Sequence, residues 1–231
     1  TAVLDAEIRR IMLDAAAAHV PFDGWSRGAF NASARDAGVD MALALAVFPR
    51  GPVDLALGYH AAGDAAMLER LKIEDLGDLR FSQKIAAAVR FRLEASEDKE
   101  MVRRGTALFA LPHHATDGAR AIWQTADHIW TALGDTSDDV NWYTKRATLS
   151  GVYASTVLYW LGDTSDGNAD TWAFLDRRIA DVMQIETMKA KFRDNKALSG
   201  LLAGPLSLLG RVRAPGRARD HDLPGRWRDT V

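Results

Sequence analysis

The stretch that decides the fold is residues 26–48, SRGAFNASARDAGVDMALALAVF. Ser26 and Asp40 each stand directly before an alanine-rich run, where a side-chain oxygen can cap the start of a helix. Gly38 lies between the two runs and allows the chain to turn sharply. The two prolines of residues 49–52 then end the second run. The stretch therefore predicts two short helices joined by a tight turn.

The rest of the chain has the same helical character. Apolar residues recur at helical spacing in nearly every segment, and no two stretches alternate like the strands of a hairpin. The sequence therefore predicts an all-α fold whose first helix carries apolar residues between 8 and 16 on one face and is ended by residues 21–24. Further helices are predicted over residues 53–62, 64–73, 78–97, 99–111, 117–133, 141–161 and 171–196. Phe81, Ile85, Ala88, Val89 and Leu93 are predicted to face inward.

Composition limits the classes of function. The 231 residues can bury a sizeable core, and their net charge of −2 gives no general reason to expect nucleic-acid binding. The chain has no cysteine, which excludes disulfides and thiolate metal sites. The sequence predicts neither a membrane-spanning helix nor a signal peptide at its start. It also lacks the spacing motifs of common catalytic, nucleotide and di-iron sites, so we predict no catalytic residue, metal ligand or cofactor.

Residues 197–231 have a different character from the rest of the chain. Between residues 189 and 219, eight cations meet one anion, a net charge of +7 that flanks a leucine stripe. Two interpretations are open: a last helix packed on the body, or an amphipathic segment lying on an anionic membrane surface. Gly204 and Pro205 break or kink either one. The membrane interpretation assigns surface contact to Leu198, Leu201, Leu202, Leu206, Leu209, Arg211 and Arg213.

The sequence GDTSD occurs twice, at residues 134–138 and 162–166, each time after a predicted helix. A calcium loop is one interpretation, but the alternating acidic ligands and terminal glutamate of an EF-hand are absent. Turn and capping residues between two helices are the favoured interpretation.

Residues 5–62 resemble the start of a TetR-type repressor: one helix, a helix-turn-helix with the turn Ala37-Gly38-Val39, and a Phe48-Pro49 break. A DNA-reading helix offers polar or basic side chains to phosphates and base edges. Here the third helix is MALALAVF, so we predict that the scaffold remains while DNA binding is absent. A TetR-type transcriptional regulator with a lipid effector is the alternative hypothesis.

A second resemblance lies further along the chain. The run DTSDDVNWYTKRA at residues 135–147 resembles the signature of the coenzyme Q (ubiquinone) biosynthesis protein nine family. Residues 111–113 (LPH), 127–130 (DHIW) and 170–175 (DTWAFL), together with Arg178, extend the match. Ile129 and Asp138 depart from the residues of the animal members.

This resemblance implies a TetR-like homodimer that is not an enzyme. It implies an isoprenoid lipid held in an apolar pocket, and a C-terminal amphipathic helix that sits on membranes. It also implies that quinone intermediates are presented to a di-iron demethoxyubiquinone hydroxylase, with the protein cytoplasmic and peripheral on the inner membrane. The partner surface would comprise Asp127, Ile129, Asp139, Trp142, Tyr143 and Arg146.

Two questions stay open at this point. Trp142 and Tyr143 are adjacent, so either one is exposed beside Arg146 as an interface anchor, or both tilt inward while Arg146 pairs with Asp139 or Asp135. The apolar residues of the implied pocket could equally be ordinary core. These candidates for lipid binding are Leu108, Phe109, Ile122, Leu149, Val152, Tyr153, Val157 and Trp160.

The sequence predicts three parts along the chain. Residues 1–62 form a helix-turn-helix-like unit, residues 63–196 form a lipid-binding bundle, and residues 197–231 form a membrane-contacting tail.

Overall fold

The structure is a computed structural model that describes residues 2–96, 98–194 and 213–215. Every regular element within these ranges is a helix, which confirms the predicted all-α class. One turn of 3-10 helix, Asp166–Asn168, precedes the last helix. The α-helices are α1 Ala2–Ala16, α2 Val20–Asp23, α3 Arg27–Asp36, α4 Met41–Val47, α5 Pro52–Ile73, α6 Phe81–Glu94, α7 Lys99–Phe109, α8 Ala115–Ala132, α9 Val140–Gly162 and α10 Ala169–Asp194.

The helix-turn-helix forms as the sequence predicts. The Ser26 hydroxyl accepts a hydrogen bond from the Ala29 backbone N–H at 3.1 Å and caps α3. Asp40 accepts one from the Ala42 N–H at 2.8 Å and caps α4. Gly38 between them has a φ of 66°, a left-handed conformation that glycine adopts without strain.

The N-terminal helices share one hydrophobic core. Met12 from α1, Phe30 from α3 and Ala44 from α4 are buried in it, together with Leu55 from α5. Phe48, at the end of α4, packs edge-to-face on Phe30 with ring centroids 6.3 Å apart. Only one side of α4 packs on this core, because the other residues of α4 face outward.

The predicted helix break near residue 63 is wrong. α5 continues unbroken from Pro52 to Ile73. Asp64, which the sequence places at a helix start, is 2% exposed and accepts a hydrogen bond from Arg92 Nε at 2.6 Å. A Cβ atom on Gly63 would collide with the Arg92 guanidinium. Glycine at residue 63 therefore makes room for an ion pair between α5 and α6.

A second core joins α5, α6, α8, α9 and α10. Met67, Leu93, Ile129, Leu149 and Leu175 are among its buried members. Four of the five residues predicted to face inward on α6 are buried. The exception is Phe81, which is 43% exposed because it is the first residue of α6 and lies at the end of the bundle.

The two GDTSD repeats form turns that end α8 and α9. Gly134 has a φ of 83° at the first turn. In the second, the Asp163 carboxylate accepts hydrogen bonds from the backbone N–H groups of Ser165 and Thr171 at 2.8 and 2.9 Å. Across the described ranges, no group of three or more His, Cys, Asp or Glu side chains could hold a metal ion. The turn and capping interpretation accounts for these carboxylates.

Most of the predicted membrane contacts lie outside the described residues: Leu198, Leu201, Leu202, Leu206, Leu209 and Arg211. Arg213 is described, and its side chain is 73% exposed. No single helix in the described part of the chain has the length and apolar composition to cross a membrane. Within the described residues, one pair of helices, α4 and α5, has that length and apolar composition when taken together, but the two are bent by 58° relative to each other.

Candidate functional site

A cavity of about 490 Å³ lies between α5, α6, α7, α8 and α9. We call it the α7 cavity. Its volume falls within the ~300–1,000 Å³ typical of small-molecule pockets. Leu158, at 61% exposure, marks the place where the wall meets the surface. Other residues that line it include Trp25, Ala56, Met101, Phe109, Ala119, Ile122, Ala154 and Val157.

Small residues set the spacing of the helices around this cavity. A Cβ atom on Gly118 would lie 2.7 Å from the Phe109 Cβ, so α8 can approach the end of α7 only with glycine there. The Trp25 ring closes the wall on the N-terminal side, and its indole N–H donates to the Met101 carbonyl at 3.2 Å. Close contacts therefore fix this part of the wall.

One part of the wall is polar. His60, Arg92 and Tyr153 all line the α7 cavity. The rings of His60 and Tyr153 meet edge-to-face, with centroids 6.5 Å apart. The Arg92 guanidinium carbon lies 6.0 Å from the centre of the Tyr153 ring. An apolar ligand in this cavity would meet hydrogen-bonding groups at this place in the wall.

His60 and Arg92 also belong to a polar network centred on the buried carboxylate of Asp64. Its carboxylate accepts hydrogen bonds from Arg92 and, at 2.9 Å, from the Thr125 hydroxyl. His60 Nε2 lies 2.8 Å from the Thr125 oxygen, and His128 Nδ1 lies 3.2 Å from Asp64. Burial, and secondarily the charge of Arg92, lower the pKa of His60 from 6.5 to about 4. His60 is therefore a neutral imidazole at neutral pH.

A second cavity of about 460 Å³ lies on the opposite side of α9, against α6, α8 and α10. We call it the α10 cavity. Apolar residues from all four helices line it, including Ile85, Trp130, Val152 and Ile179. Its rim carries Asp135 and Lys145, whose Oδ1 and Nζ atoms are 2.8 Å apart. Helix α9 thus separates two apolar cavities.

The residues predicted to bind lipid divide between these places. Phe109, Ile122, Tyr153 and Val157 line the α7 cavity, whereas Leu149 and Val152 line the α10 cavity. Leu108 packs against the N-terminal core. Trp160 is 4% exposed in the bundle core, and the Lys99 Nζ lies 5.1 Å from its ring centre. The predicted lipid-binding residues lie on α9 and on the neighbouring helices α7 and α8, but they do not line one common pocket.

Three aromatic rings gather at the start of α9, and we call them the aromatic face. The Trp142 and Tyr143 rings meet edge-to-face at 4.8 Å. Trp123 of α8 lies 5.9 Å from Trp142 and 6.5 Å from Tyr143. All three residues are half-buried. Neither of the two adjacent aromatic side chains is fully exposed, because Trp123 packs against both.

Arg146 supports this face from below. The residue is 1% exposed, and its guanidinium lies 4.0 Å from the centre of the Trp142 ring. It donates to Asp127 at 2.5 Å and to Asp135 at 2.9 Å. Burial opposes ionisation of Asp135, but hydrogen bonds from Lys145 and Arg146 outweigh it and hold the pKa of Asp135 well below its usual range. The pairing with Asp135, one of the two open alternatives, is the one observed.

The structure places the predicted partner residues at different depths. Ile129 is fully buried in the bundle core and Arg146 lies beneath Trp142. Asp139 caps α9 by accepting from the Asn141 N–H at 2.9 Å. The Asp127 side chain reaches the surface and is 39% exposed. The half-buried side chains of Trp142 and Tyr143 also reach the surface.

Residues 213–215 lie against this region. The Ala214 N–H donates to the Asp138 carbonyl at 2.9 Å. The Tyr143 hydroxyl donates to the Arg213 carbonyl at 3.2 Å. A short piece of the C-terminal part of the chain therefore touches the start of α9 beside the aromatic face.

Sequence reasoning missed the Asp64 network. The four-residue spacing of His60 and Asp64 on one helix was an available signal, because it places both side chains on one face. Nothing local indicates Arg92 as the partner, since 28 residues separate it from Asp64.

The fold and its cavities define a class: TetR-like helical proteins with an apolar interior site. A solved TetR transcriptional regulator from Nitrosomonas europaea is similar over 75% of this chain and 97% of its own, with a TM-score of 0.62. The two sequences are 19% identical. This likeness shows the fold alone.

The sequence model of the COQ9 family matches residues 115–186, which cover α8, α9 and most of α10. Ubiquinone biosynthesis protein COQ9-B, mitochondrial, of Xenopus laevis is 31% identical over 215 residues, covering 88% of this chain and 73% of its own. The Drosophila melanogaster COQ9 protein is 34% identical over 191 residues. The chain belongs to the COQ9 family, as the sequence resemblance predicts. It covers 57% of the Drosophila relative's length.

Proposed function

We propose that this chain is a non-enzymatic, lipid-binding accessory protein of ubiquinone biosynthesis. It holds a prenylated quinone intermediate in the α7 cavity and presents it to a di-iron demethoxyubiquinone hydroxylase. The observation that carries the proposal is the apolar α7 cavity of about 490 Å³, bordered by the polar groups of His60, Arg92 and Tyr153. Its relatives are named ubiquinone biosynthesis proteins, which supports a role in that pathway.

The physical need for such a carrier follows from the solubility of prenyl chains. A long hydrocarbon tail leaves a bilayer only if another apolar surface receives it, since exposing it to water costs roughly 25 cal/mol per Å². Phe109, Ile122 and Val157 offer such a surface around the α7 cavity. The α10 cavity offers a second apolar volume. Of the two, only the α7 cavity combines apolar walls with Tyr153 and His60.

The aromatic face is the contact that we assign to the hydroxylase. Aromatic side chains with a buried arginine at their base are typical anchors of protein interfaces. Trp142 and Tyr143 reach the surface, while Arg146 and Asp135 fix them from beneath. Ile129 and Arg146 support this contact from within and do not touch the hydroxylase, because both are buried.

A homodimer, which the family resemblance implies, belongs to the same proposal. The mass of the purified protein in analytical sedimentation tests it.

The proposed membrane contact rests on the sequence of residues 197–231. Their leucine stripe and flanking cations suit the surface of an anionic membrane. Removing residues 197–231 should lower the fraction of protein that pellets with anionic vesicles. Equal pelleting of the full and shortened chains would contradict membrane contact by this segment.

Two matched substitutions on α9 test which cavity holds the ligand. Ala154→Phe adds a ring to the α7 cavity, and Thr148→Phe adds the same ring to the α10 cavity. We expect Ala154→Phe to lower the affinity for a prenylated quinone at least about tenfold, because the added ring takes up part of the space for the ligand. Thr148→Phe should leave the affinity within about twofold. The reverse pattern would place the ligand in the α10 cavity.

The observed α4 surface supports leaving DNA out of the proposal. Met41, Leu43 and Leu45 are 37%, 37% and 44% exposed on the helix that corresponds to a DNA reader. Placing them in a groove would desolvate base edges and phosphates without giving them hydrogen bonds. Salt-sensitive, sequence-selective binding of a DNA duplex would overturn this view and favour a transcriptional regulator.

A further inference from the structure

Tyr153 is buried but its hydroxyl has no partner in the described part of the chain. The residue is 4% exposed and belongs to the bundle core. Nearby buried polar groups are paired: the Trp25 N–H donates to Met101, and the Thr125 hydroxyl donates to Asp64. Buried polar groups in folded proteins nearly always have hydrogen-bond partners. An isolated phenol hydroxyl in this position therefore calls for an explanation.

The hydroxyl faces open space and not packed atoms. Within the described residues, Ser150 Oγ is the one fully enclosed side-chain oxygen or nitrogen that has no hydrogen-bond partner. The Tyr153 oxygen is thus in contact with accessible volume, and the residue lines the α7 cavity. Among the described residues, the Tyr153 hydroxyl is consequently a hydrogen-bonding group without a partner at the wall of the α7 cavity.

The surroundings keep this group as a neutral donor. Burial raises the pKa of Tyr153, and the nearby charge of Arg92 only partly offsets that effect. The phenol therefore stays protonated and can donate one hydrogen bond. Arg92 is already committed to Asp64 at 2.6 Å and to the His60 carbonyl at 2.9 Å. A charged head group would find no unpaired counter-ion beside it, whereas a neutral oxygen acceptor would find the Tyr153 hydroxyl.

We infer that the Tyr153 hydroxyl binds a ring oxygen of the prenylated ligand, a quinone carbonyl or a phenol oxygen, inside the α7 cavity. This inference rests on the proposed function and adds to it the group that selects the head group. Phe109, Ile122 and Val157 contact the hydrocarbon without distinguishing one chain from another. Tyr153 distinguishes an oxygen-bearing ring from a plain hydrocarbon and from a phospholipid.

The test compares two ligands on the full chain: a benzoquinone carrying two isoprene units, and the matched prenylated benzene without ring oxygens. Displacement of diphenylhexatriene reports both affinities. Tyr153→Phe keeps the ring and removes only the unpaired hydroxyl, so folding should be unaffected. We expect it to weaken quinone binding about tenfold, the effect of one hydrogen bond, and to change hydrocarbon binding less than about twofold.

Tyr159→Phe is the matched control, since Tyr159 lies on the same helix, is 39% exposed and stacks on Phe174. It should change neither affinity. Unchanged quinone binding by Tyr153→Phe, or equal losses for both ligands, would overturn the inference and leave the proposed function standing. Binding of neither ligand by the unmodified protein would overturn both.

A second measurement needs no variant. The infrared carbonyl stretch of the bound quinone should shift to lower frequency relative to the same quinone in hexane, because hydrogen bonding weakens the C=O bond. An unshifted carbonyl band would contradict the inference even if Tyr153→Phe failed to fold.

Discussion

At the scale of single residues, buried charges in this protein are used as fixed supports. Arg146 pairs with Asp127 and Asp135, and Arg92 pairs with Asp64. Asp64 is 2% exposed, so removing Arg92 would leave its charge without a counter-ion in the interior, which costs about 3–5 kcal/mol. Each guanidinium also lies against an aromatic ring, Trp142 and Tyr153 respectively. The ion pairs thus set the positions of the two side chains to which we assign recognition.

His60 predicts how stability depends on pH. Its pKa is about 4 in the folded protein and near 6.5 in the unfolded chain, so the unfolded chain binds the extra proton between these values. Above about pH 6.5 the imidazole is neutral in both states, so His60 does not oppose folding. As the pH falls toward 4, protonation of His60 in the unfolded chain lowers the free energy of unfolding. We expect the free energy of unfolding to drop by about 2 kcal/mol between pH 7 and pH 5. Urea unfolding at the two pH values measures this.

His60→Gln should remove most of that difference while retaining an amide near Thr125. His113→Gln is the control, because His113 is exposed in the α7–α8 connection. If both variants kept the pH dependence of the unmodified protein, the buried neutral imidazole would not be its source.

At the scale of elements, α9 is the helix on which the site depends. Its first turn carries Trp142 and Tyr143, and its middle carries Thr148 toward one cavity and Ala154 toward the other. This division follows from helical geometry, since residues a few positions apart point to different sides of a helix. The aromatic face and both cavities therefore share one rigid element.

The aromatic face predicts a loss of partner binding on substitution of Trp142. Trp142→Ala removes the ring that Arg146 supports and should weaken binding to the di-iron hydroxylase more than about tenfold. Surface plasmon resonance with the purified hydroxylase measures this. Trp172→Ala is the control, because Trp172 is also half-buried but lies at the start of α10. Equal affinities of the two variants, with both folded, would exclude the aromatic face as the contact.

The elements also show how far the sequence could predict the fold. The caps at Ser26 and Asp40 were predictable because a cap depends on residues two or three positions apart. The continuity of α5 was not, because Gly63 and Asp64 look like a helix end until Arg92 is placed beside them. Local patterns determine helices well, whereas contacts across many residues decide which polar side chains are buried.

The site was predictable to a lesser degree. The sequence identified Trp142 and Tyr143 correctly as neighbours at a helix start, and Asp135 as one possible partner of Arg146. The predicted lipid-binding set places Leu149, Val152, Tyr153 and Val157 of α9 together, but packing divides these four between two cavities. Whether apolar side chains fill a space or enclose it depends on how several helices fit together, and no single helix carries that information.

At the scale of the whole molecule, a TetR-like helical scaffold presents an apolar helix α4, two apolar cavities and an aromatic face. Met41, Leu43 and Leu45 on α4 give it a surface unlike that of a DNA reader. Residues 213–215 bring the C-terminal part of the chain to Asp138 and Tyr143, beside the aromatic face. In the proposed function, membrane contact, lipid binding and partner contact are thus linked through α9.

Organic extraction of the purified protein, followed by mass spectrometry, shows whether this chain carries a lipid. We expect a prenylated quinone or a related isoprenoid in the extract of the unmodified protein, and much less of it in the extract of Ala154→Phe, whose added ring takes up part of the α7 cavity. An extract without any isoprenoid, from protein purified out of cells that make ubiquinone, would contradict the proposed lipid binding.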